Sequence, residues 1–244
     1  MRIEAVIFDL DNTLYDEEQF VRSGFRAVSN YMTEKHGIDK EVFYHLLLSI
    51  FSKRGRERVF DTALSEMNLC KKEIVLEMVE IYRSHLPQIS LYKAAHDVLL
   101  EIKKKYRVAL ITDGIKKVQE SKVKALGIED LFDVITYAIE HGGKNNIQAY
   151  LTTLRKLEIE PSQSVYIDDS PKGLTIARKL GIHTARILKA ERGNIRVYEH
   201  YEPEFEIRNL QQIFSVIRTI QKSLECTPYY SDHEPEGLHR AEEV

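Results

Sequence analysis

The sequence predicts an α/β protein, a doubly wound parallel sheet with a helical insertion after its first strand. Three observations lead there. Residues 5–8, Ala5-Val6-Ile7-Phe8, form a short unbroken apolar run that ends against Asp9, the pattern of a strand covered on both faces. From Asp16 to Gln88 no comparable run occurs, and apolar residues recur at helical spacing. Beyond Gln88, strand and helix patterns alternate, which implies parallel strands joined by right-handed crossovers, with helices on both faces.

Within the insertion the helical spacing is carried by Phe20, Phe25, Val28 and Met32, then Val42, Leu46, Leu47 and Ile50, then Ile74, Met78 and Ile81. The alternating part begins with a helix over 94–105 and a strand over 107–112. It continues with a helix over 116–126, a strand over 133–137, a helix over 147–157, a strand over 164–168, a helix over 171–180 and a strand over 183–187. Gly127 and Gly181 follow helical stretches where a left-handed cap is expected, and Pro171 stands where a first helical turn accepts it. An amphipathic stretch over 209–222 precedes a polar, aperiodic end that contains Tyr229 and Tyr230. The expected division is an α/β unit of 1–15 and 89–222, a helical unit of 16–88, and a mobile tail of 223–244.

Composition narrows the partners. The 244 residues amount to about one and a half domains at roughly 150 residues each, which suits one domain with a large insertion. A hydrophobic content of 43% is enough for a packed core. Lys plus Arg number 35 against 38 Asp plus Glu, a net charge of −3, so no general cationic field would hold nucleic acid or an anionic membrane. Any anionic substrate needs a local site. Cys70 and Cys226 lie far apart, which excludes a disulfide framework or a structural zinc cluster and suits a reducing compartment. With no signal-peptide pattern at the N-terminus and no run of 18 apolar residues, the expected location is the cytoplasm.

In a parallel sheet of this kind, ligands bind beyond the carboxyl ends of the strands. Those positions hold Asp9 and Asp11, then Thr112 and Asp113, then Asp168 and Asp169. Two carboxylates about 4 Å apart repel by roughly 4 kcal/mol at an effective dielectric of 20, so a cation must compensate. Mg²⁺ suits such oxygen ligands, because it takes one or two carboxylates together with phosphate and water. Lys144, after Gly142 and Gly143, can add positive charge on a loop able to approach a ligand closely. Asp9 and Asp11 stand at i and i+2 of an extended segment, so one can attack an electrophile while its neighbour handles a proton. Thr112 and the N–H groups of Asp113 and Gly114 can hold phosphate oxygens.

Simpler roles compete at several positions. Asp113 can cap the following helix, Thr13 can bond the backbone of its own loop, and Asp16 and Glu17 can serve as helix-start acids. The basic run 53–58 reads as solvated surface, and Lys103 to Lys105 suit a helix C-terminus. The nine histidines include no HxH or HExxH spacing.

These segments resemble the haloacid dehalogenase superfamily, in its phosphatase branch. Phe8-Asp9-Leu10-Asp11-Asn12-Thr13-Leu14 resembles the family's DxDxT motif, and Ile111-Thr112-Asp113-Gly114 the second motif. Lys144 resembles the third, and Tyr166-Ile167-Asp168-Asp169-Ser170-Pro171 the fourth in its paired-Asp form. The insertion resembles the small helical cap that closes over the family's active site. The resemblance implies a Rossmann-like core and a Mg²⁺-dependent hydrolysis of a small phosphorylated metabolite. It implies that Asp9 attacks phosphorus, that Asp11 protonates the leaving alcohol and then activates water, and that Thr112 and Lys144 bind the phosphoryl group. Mg²⁺ would be held by the Asp9 carboxylate, the Asp11 main-chain carbonyl and Asp169, with Asp168 nearby orienting the metal shell or Lys144.

Two departures stand out. Lys144 is followed by Asn145 and Asn146 rather than Pro, with Asn145 as the expected helix N-cap. Asp168 replaces a Gly, and Gly173 and Leu174 occupy the region of a later Asp, which leaves both Asp168 and Asp169 open as the direct ligand. The family also contains phosphomutases, metal-independent dehalogenases that lack the second acid, and phosphonatases with a cap lysine, for which Lys35, Lys40, Lys53, Lys71 and Lys72 are formal candidates. A non-catalytic phosphate-binding regulator on the same scaffold is a further alternative.

Overall fold

A computed structural model describes residues 2–69, 71–188 and 203–225. Six strands form one parallel sheet: β1 (Ala5–Phe8), β2 (Arg107–Thr112), β3 (Val134–Tyr137), β4 (Ser164–Asp168), β5 (His183–Ile187) and β6 (Phe205–Ile207). Their order is β3-β2-β1-β4-β5-β6. In the centre, Phe8 stands in register with Leu110 of β2 and with Ile167 of β4. The chain therefore grows outward from β1 in one direction through β2 and β3, and in the other through β4 to β6. The reversal falls between β1 and β4, and in open parallel sheets ligands bind beyond the strand ends at such a point.

The alternation of strand side chains divides the core between the two faces. Val6, Phe8, Val108, Leu110, Val165 and Ile167 point to one face, packed with residues of α5 (Ala95–Lys103), α6 (Lys116–Leu126) and α9 (Ile213–Glu225). Ala5, Ile7, Ala109, Ile111 and Tyr166 point to the other, against α7 (Ile147–Leu157) and α8 (Pro171–Lys179). Burial on both faces explains why these strands read as continuous apolar runs.

The insertion folds into α1 (Glu17–His36), α2 (Lys40–Arg54), α3 (Val59–Glu66) and α4 (Lys72–Ser84). They enclose an apolar cluster of their own, built on Phe25, Met32, Phe43, Leu47, Leu64 and Met78. Phe20, early in α1, instead packs with the sheet's core, with the rings of Tyr82 and His85 against it. The chain enters and leaves the insertion side by side: Tyr15 forms a bridge with Leu91, and Tyr92 N donates to Leu14 O at 3.0 Å.

Several expectations need adjustment. The helix expected over 94–105 is α5, shorter at both ends, and α8 stops at Lys179, with Leu180 as its cap before Gly181. β3 starts at Val134 rather than 133. The amphipathic stretch over 209–222 resolves into a 3₁₀ turn, Leu210–Gln212, and α9, which runs on to Glu225. β6 had no sequence counterpart, since three residues with Glu206 at the centre carry no periodic signal. Both cysteines and 226–244, including Tyr229 and Tyr230, lie outside the described residues. Among the described residues no helix is long and apolar enough to cross a membrane.

Candidate active site

At the reversal point, Asp9 follows β1 and Asp168 ends β4, which brings two buried carboxylates to one rim. Asp9 Oδ2 accepts from Thr13 Oγ1 at 3.0 Å, and Oδ1 accepts from Lys144 Nζ. Lys144 Nζ also donates to Asp168 Oδ2 at 3.1 Å, so one ammonium joins the two acids. Asp168 is held further by Tyr166 Oη at 2.6 Å and by Ser170 N at 2.9 Å. Tyr166 and Asp168 are two residues apart on one strand and thus share a face. The expectation that Thr13 bonds its own loop backbone is overturned: its buried hydroxyl serves Asp9, whose oxygen has little water available.

Gly173 in α8 explains how Asp168 fits. A Cβ there would lie 2.5 Å from Asp168 Oδ2 and 3.1 Å from Tyr150 Oη, so only glycine lets the helix come this close. This gives Gly173, noted at sequence level only as a departure, a packing role.

Lys144 rests on a loop tied to the neighbouring strand end. Asp113 Oδ2 accepts from Lys144 N at 3.2 Å, and Asp113 Oδ1 accepts from Gly114 N at 2.9 Å. Asp113 is therefore no helix cap; α6 has Ile115 at that position, without a side-chain bond. Gly143, with φ of 86°, lies against the Asp113 carboxylate. The helix after this loop is capped by Asn146, not Asn145: Asn146 Oδ1 accepts from Gln148 N at 3.0 Å.

Asp11 faces a different set of groups. Lys122 Nζ donates to its Oδ1 at 2.7 Å and its Oδ2 at 2.9 Å. Tyr15 Oη donates to Oδ1, and Gln119 Nε2 to Oδ2 at 3.2 Å. Thr112 Oγ1 donates to Gln119 Oε1 at 3.2 Å, which joins the second motif to Asp11 through one amide. Lys122, Gln119 and Tyr15 escaped the sequence reading. Their only signal was three polar or amphipathic residues on faces that the pattern assigns to the interior, and Gln119 and Lys122 share a helix face at i and i+3.

The basic run 53–58 is exposed throughout, as expected of solvated surface, and one of its members makes an ion pair. Arg56 Nη1 pairs with Glu17 at 2.7 Å, and Glu17 is bonded to Asn12 in the first motif's loop. Asp16, as expected of a helix-start acid, caps α1 through Glu18 N.

Burial, opposed by Lys144 and reinforced by Asp168, Asp169 and Asp11, pushes the Asp9 carboxyl well above the usual range. Burial acts against the Lys144 ammonium too, but Asp168 and Asp9 outweigh it and hold Lys144 above the ordinary lysine value. Oxygens of Asp9, Asp168 and Asp169 all lie within 4.8 Å of one another. An all-carboxylate set this tight fits a hard divalent cation. Asp169 is the less buried of the three, and the Asp11 carboxylate lies outside the cluster, engaged by Lys122.

Comparison with known proteins gives the family. The pattern of the haloacid dehalogenase-like hydrolases matches residues 6–187. The chain belongs to that family. A protein named glyceraldehyde 3-phosphate phosphatase, from Methanocaldococcus jannaschii, is 28% identical over 229 residues, spanning 90% of this chain and 99% of its own. The pyrophosphatase PpaX of Bacillus cereus is 22% identical over 231 residues, 91% of this chain and all of its own length (100%). Among solved structures, the magnesium-bound HAD-hydrolase YfnB of Bacillus subtilis superposes with a TM-score of 0.64 at 17% identity, covering 89% of this chain and 99% of that one. At that identity the likeness speaks for the fold, a Rossmann-like α/β core, and the family match makes the protein a hydrolase.

Proposed function

We propose that this hydrolase is a Mg²⁺-dependent phosphomonoesterase acting on a small phosphorylated metabolite through an aspartyl-phosphate intermediate. The observation that carries the reading is the Asp9–Lys144–Asp168 arrangement at the strand reversal, with Asp169 in the same cluster. Asp9, Asp169 and the Asp11 main-chain carbonyl would hold the Mg²⁺, with Asp168 in the same acidic cluster. Bound there, the cation supplies positive charge against the phosphoryl oxygens.

The steps belong to the chain's own residues. An Asp9 oxygen forms a bond to phosphorus as the ester P–O bond breaks, and the departing oxygen takes the proton of the Asp11 carboxyl group. Water then attacks phosphorus and gives a proton to Asp11 while the Asp9–phosphorus linkage opens, so inorganic phosphate leaves and both acids return to their starting states. Lys144 and Thr112, with the N–H group of Asp113, hold the phosphoryl oxygens, while the Gly114 N–H stays on the Asp113 carboxylate. Helices α1 to α4 act as the cap that selects the substrate.

The relatives' names support a phosphorylated substrate, and the archaeal one makes a three-carbon sugar phosphate ester the first to try. Asp11 speaks against a dehalogenase, which lacks the second acid. None of Lys35, Lys40, Lys53, Lys71 and Lys72 is buried, as a Schiff-base lysine of a phosphonatase would be.

Hydrolysis of p-nitrophenyl phosphate with Mg²⁺, with EDTA, and by Asp9→Asn tests the reading. EDTA should abolish turnover and Asp9→Asn should lower it by about a thousandfold or more. Turnover that survives both would end the proposal. A panel of phosphorylated metabolites, glyceraldehyde 3-phosphate included, then fixes the substrate.

A further inference from the structure

Lys122 is a buried cation without a task in the chemistry above. Its side chain is 3% exposed, yet it sits on α6, well away from the Asp9–Lys144–Asp168 cluster in the sequence. Removing an ammonium from water costs several kcal/mol, and an apolar side chain would fill the same space without that cost. Packing alone therefore gives no use for a lysine there. What the ammonium does reach is Asp11, at 2.7 and 2.9 Å, one contact to each carboxylate oxygen.

The other partners complete a cradle. Tyr15 Oη and Gln119 Nε2 each hold one Asp11 oxygen. On its far side the Lys122 ammonium lies over the ring of Phe20, 4.6 Å from the centroid, a favourable cation–π placement. Phe20 belongs to α1, and Tyr82 and His85 at the other end of the insertion pack against it. Asp11 is thus held by donors from α6 and by Tyr15 at the entrance to the insertion, with Phe20 behind Lys122.

We propose that Lys122 is a positioning residue that fixes the Asp11 carboxyl group for its proton transfers, backed by Phe20. The proposal rests on the phosphatase reading. In the first transfer the proton moves from Asp11 to the ester oxygen as the P–O bond breaks and the Asp9–phosphorus bond forms. In the second it moves from water to Asp11 as water attacks phosphorus and the Asp9–phosphorus bond breaks. A carboxyl group free to turn away meets neither oxygen at the right moment.

The first transfer provides a readout that structural damage alone does not move. p-Nitrophenolate leaves as a stable anion and needs little protonation, whereas the alcohol of β-glycerophosphate leaves poorly without a proton. Lys122→Met should lower kcat/KM on β-glycerophosphate roughly tenfold to a hundredfold more than on p-nitrophenyl phosphate. Because the two esters are compared on one preparation, any misfolded fraction cancels in the ratio. Lys122→Arg, which keeps a cation within reach, should recover part of the wild-type ratio.

A Lys122→Met ratio equal to that of the wild type would overturn the proposal, whatever the loss of overall activity. So would a Lys122→Arg variant no better than Lys122→Met in that ratio. Wild-type protein inactive on both esters would instead remove the phosphatase reading, and the proposal with it.

Discussion

Thr13 and Lys144 hold the two oxygens of Asp9, one from four residues along the chain and the other from a loop 135 residues away. Thr13→Val keeps the shape and removes the donor, leaving a buried oxygen short of one partner. Its expected cost is about 1–3 kcal/mol of stability by chemical denaturation, together with reduced turnover. Gly173→Ala tests the other acid. The added methyl would overlap Asp168 Oδ2 at 2.5 Å, so the carboxylate must turn from Lys144, and kcat/KM should drop at least about tenfold while the helical circular dichroism is unchanged. Asp9, Asp168 and Asp169 were legible as neighbours because acids that follow the apolar strands of a parallel sheet share its carboxyl rim. The hydroxyl of Thr13 and the absent side chain of Gly173 were not, because their roles depend on which atoms approach from other elements.

The helices and strands were read from periodicity and punctuation, which are local properties. β2, α6, α7, β4 and β5 fall on the residues that the pattern assigns to them. The disagreements sit at the ends of elements, and at the start of α7 a capping side chain chooses between two neighbours. Asn145 and Asn146 look alike in sequence, and the fold takes Asn146 because its carbonyl oxygen reaches Gln148 N. Such caps have measurable weight. Asp39 Oδ1 accepts from Val42 N at 2.9 Å at the start of α2, an exposed position well inside the insertion. Asp39→Ala should lower stability by about 0.5–2 kcal/mol, read from the urea midpoint, with kcat/KM unchanged in the folded protein.

At the scale of the whole molecule, the base of the insertion is where the two apolar clusters meet, and His85 stands there. Burial pulls its imidazole below the usual 6.5, with the Tyr82 carbonyl working the other way. Tyr82 itself, pushed up to about 12 chiefly by burial, stays neutral throughout the working range. The unfolded chain binds the His85 proton more readily than the native one, so stability rises with pH through this region. The contribution is present above about pH 6.5 and drains away as the pH falls toward the native value. The urea midpoint should therefore fall between about pH 7.5 and about pH 5.5, and the fall should be smaller in His85→Phe. An equal fall in both proteins would show that His85 has no part in it.

The sequence by itself determined the α/β class, the helical insertion and the acids at the strand ends, because burial on two faces, helical spacing and strand-end chemistry are written along the chain. Strand order was beyond it, since both neighbours of the central strand β1 come from segments more than a hundred residues away. Only the tertiary structure could set Lys144 between Asp9 and Asp168, or bring Lys122, Gln119 and Tyr15 to Asp11. A lysine or glutamine on a helix has the same local pattern whether it meets water or a carboxylate, and that difference arises only when the elements pack.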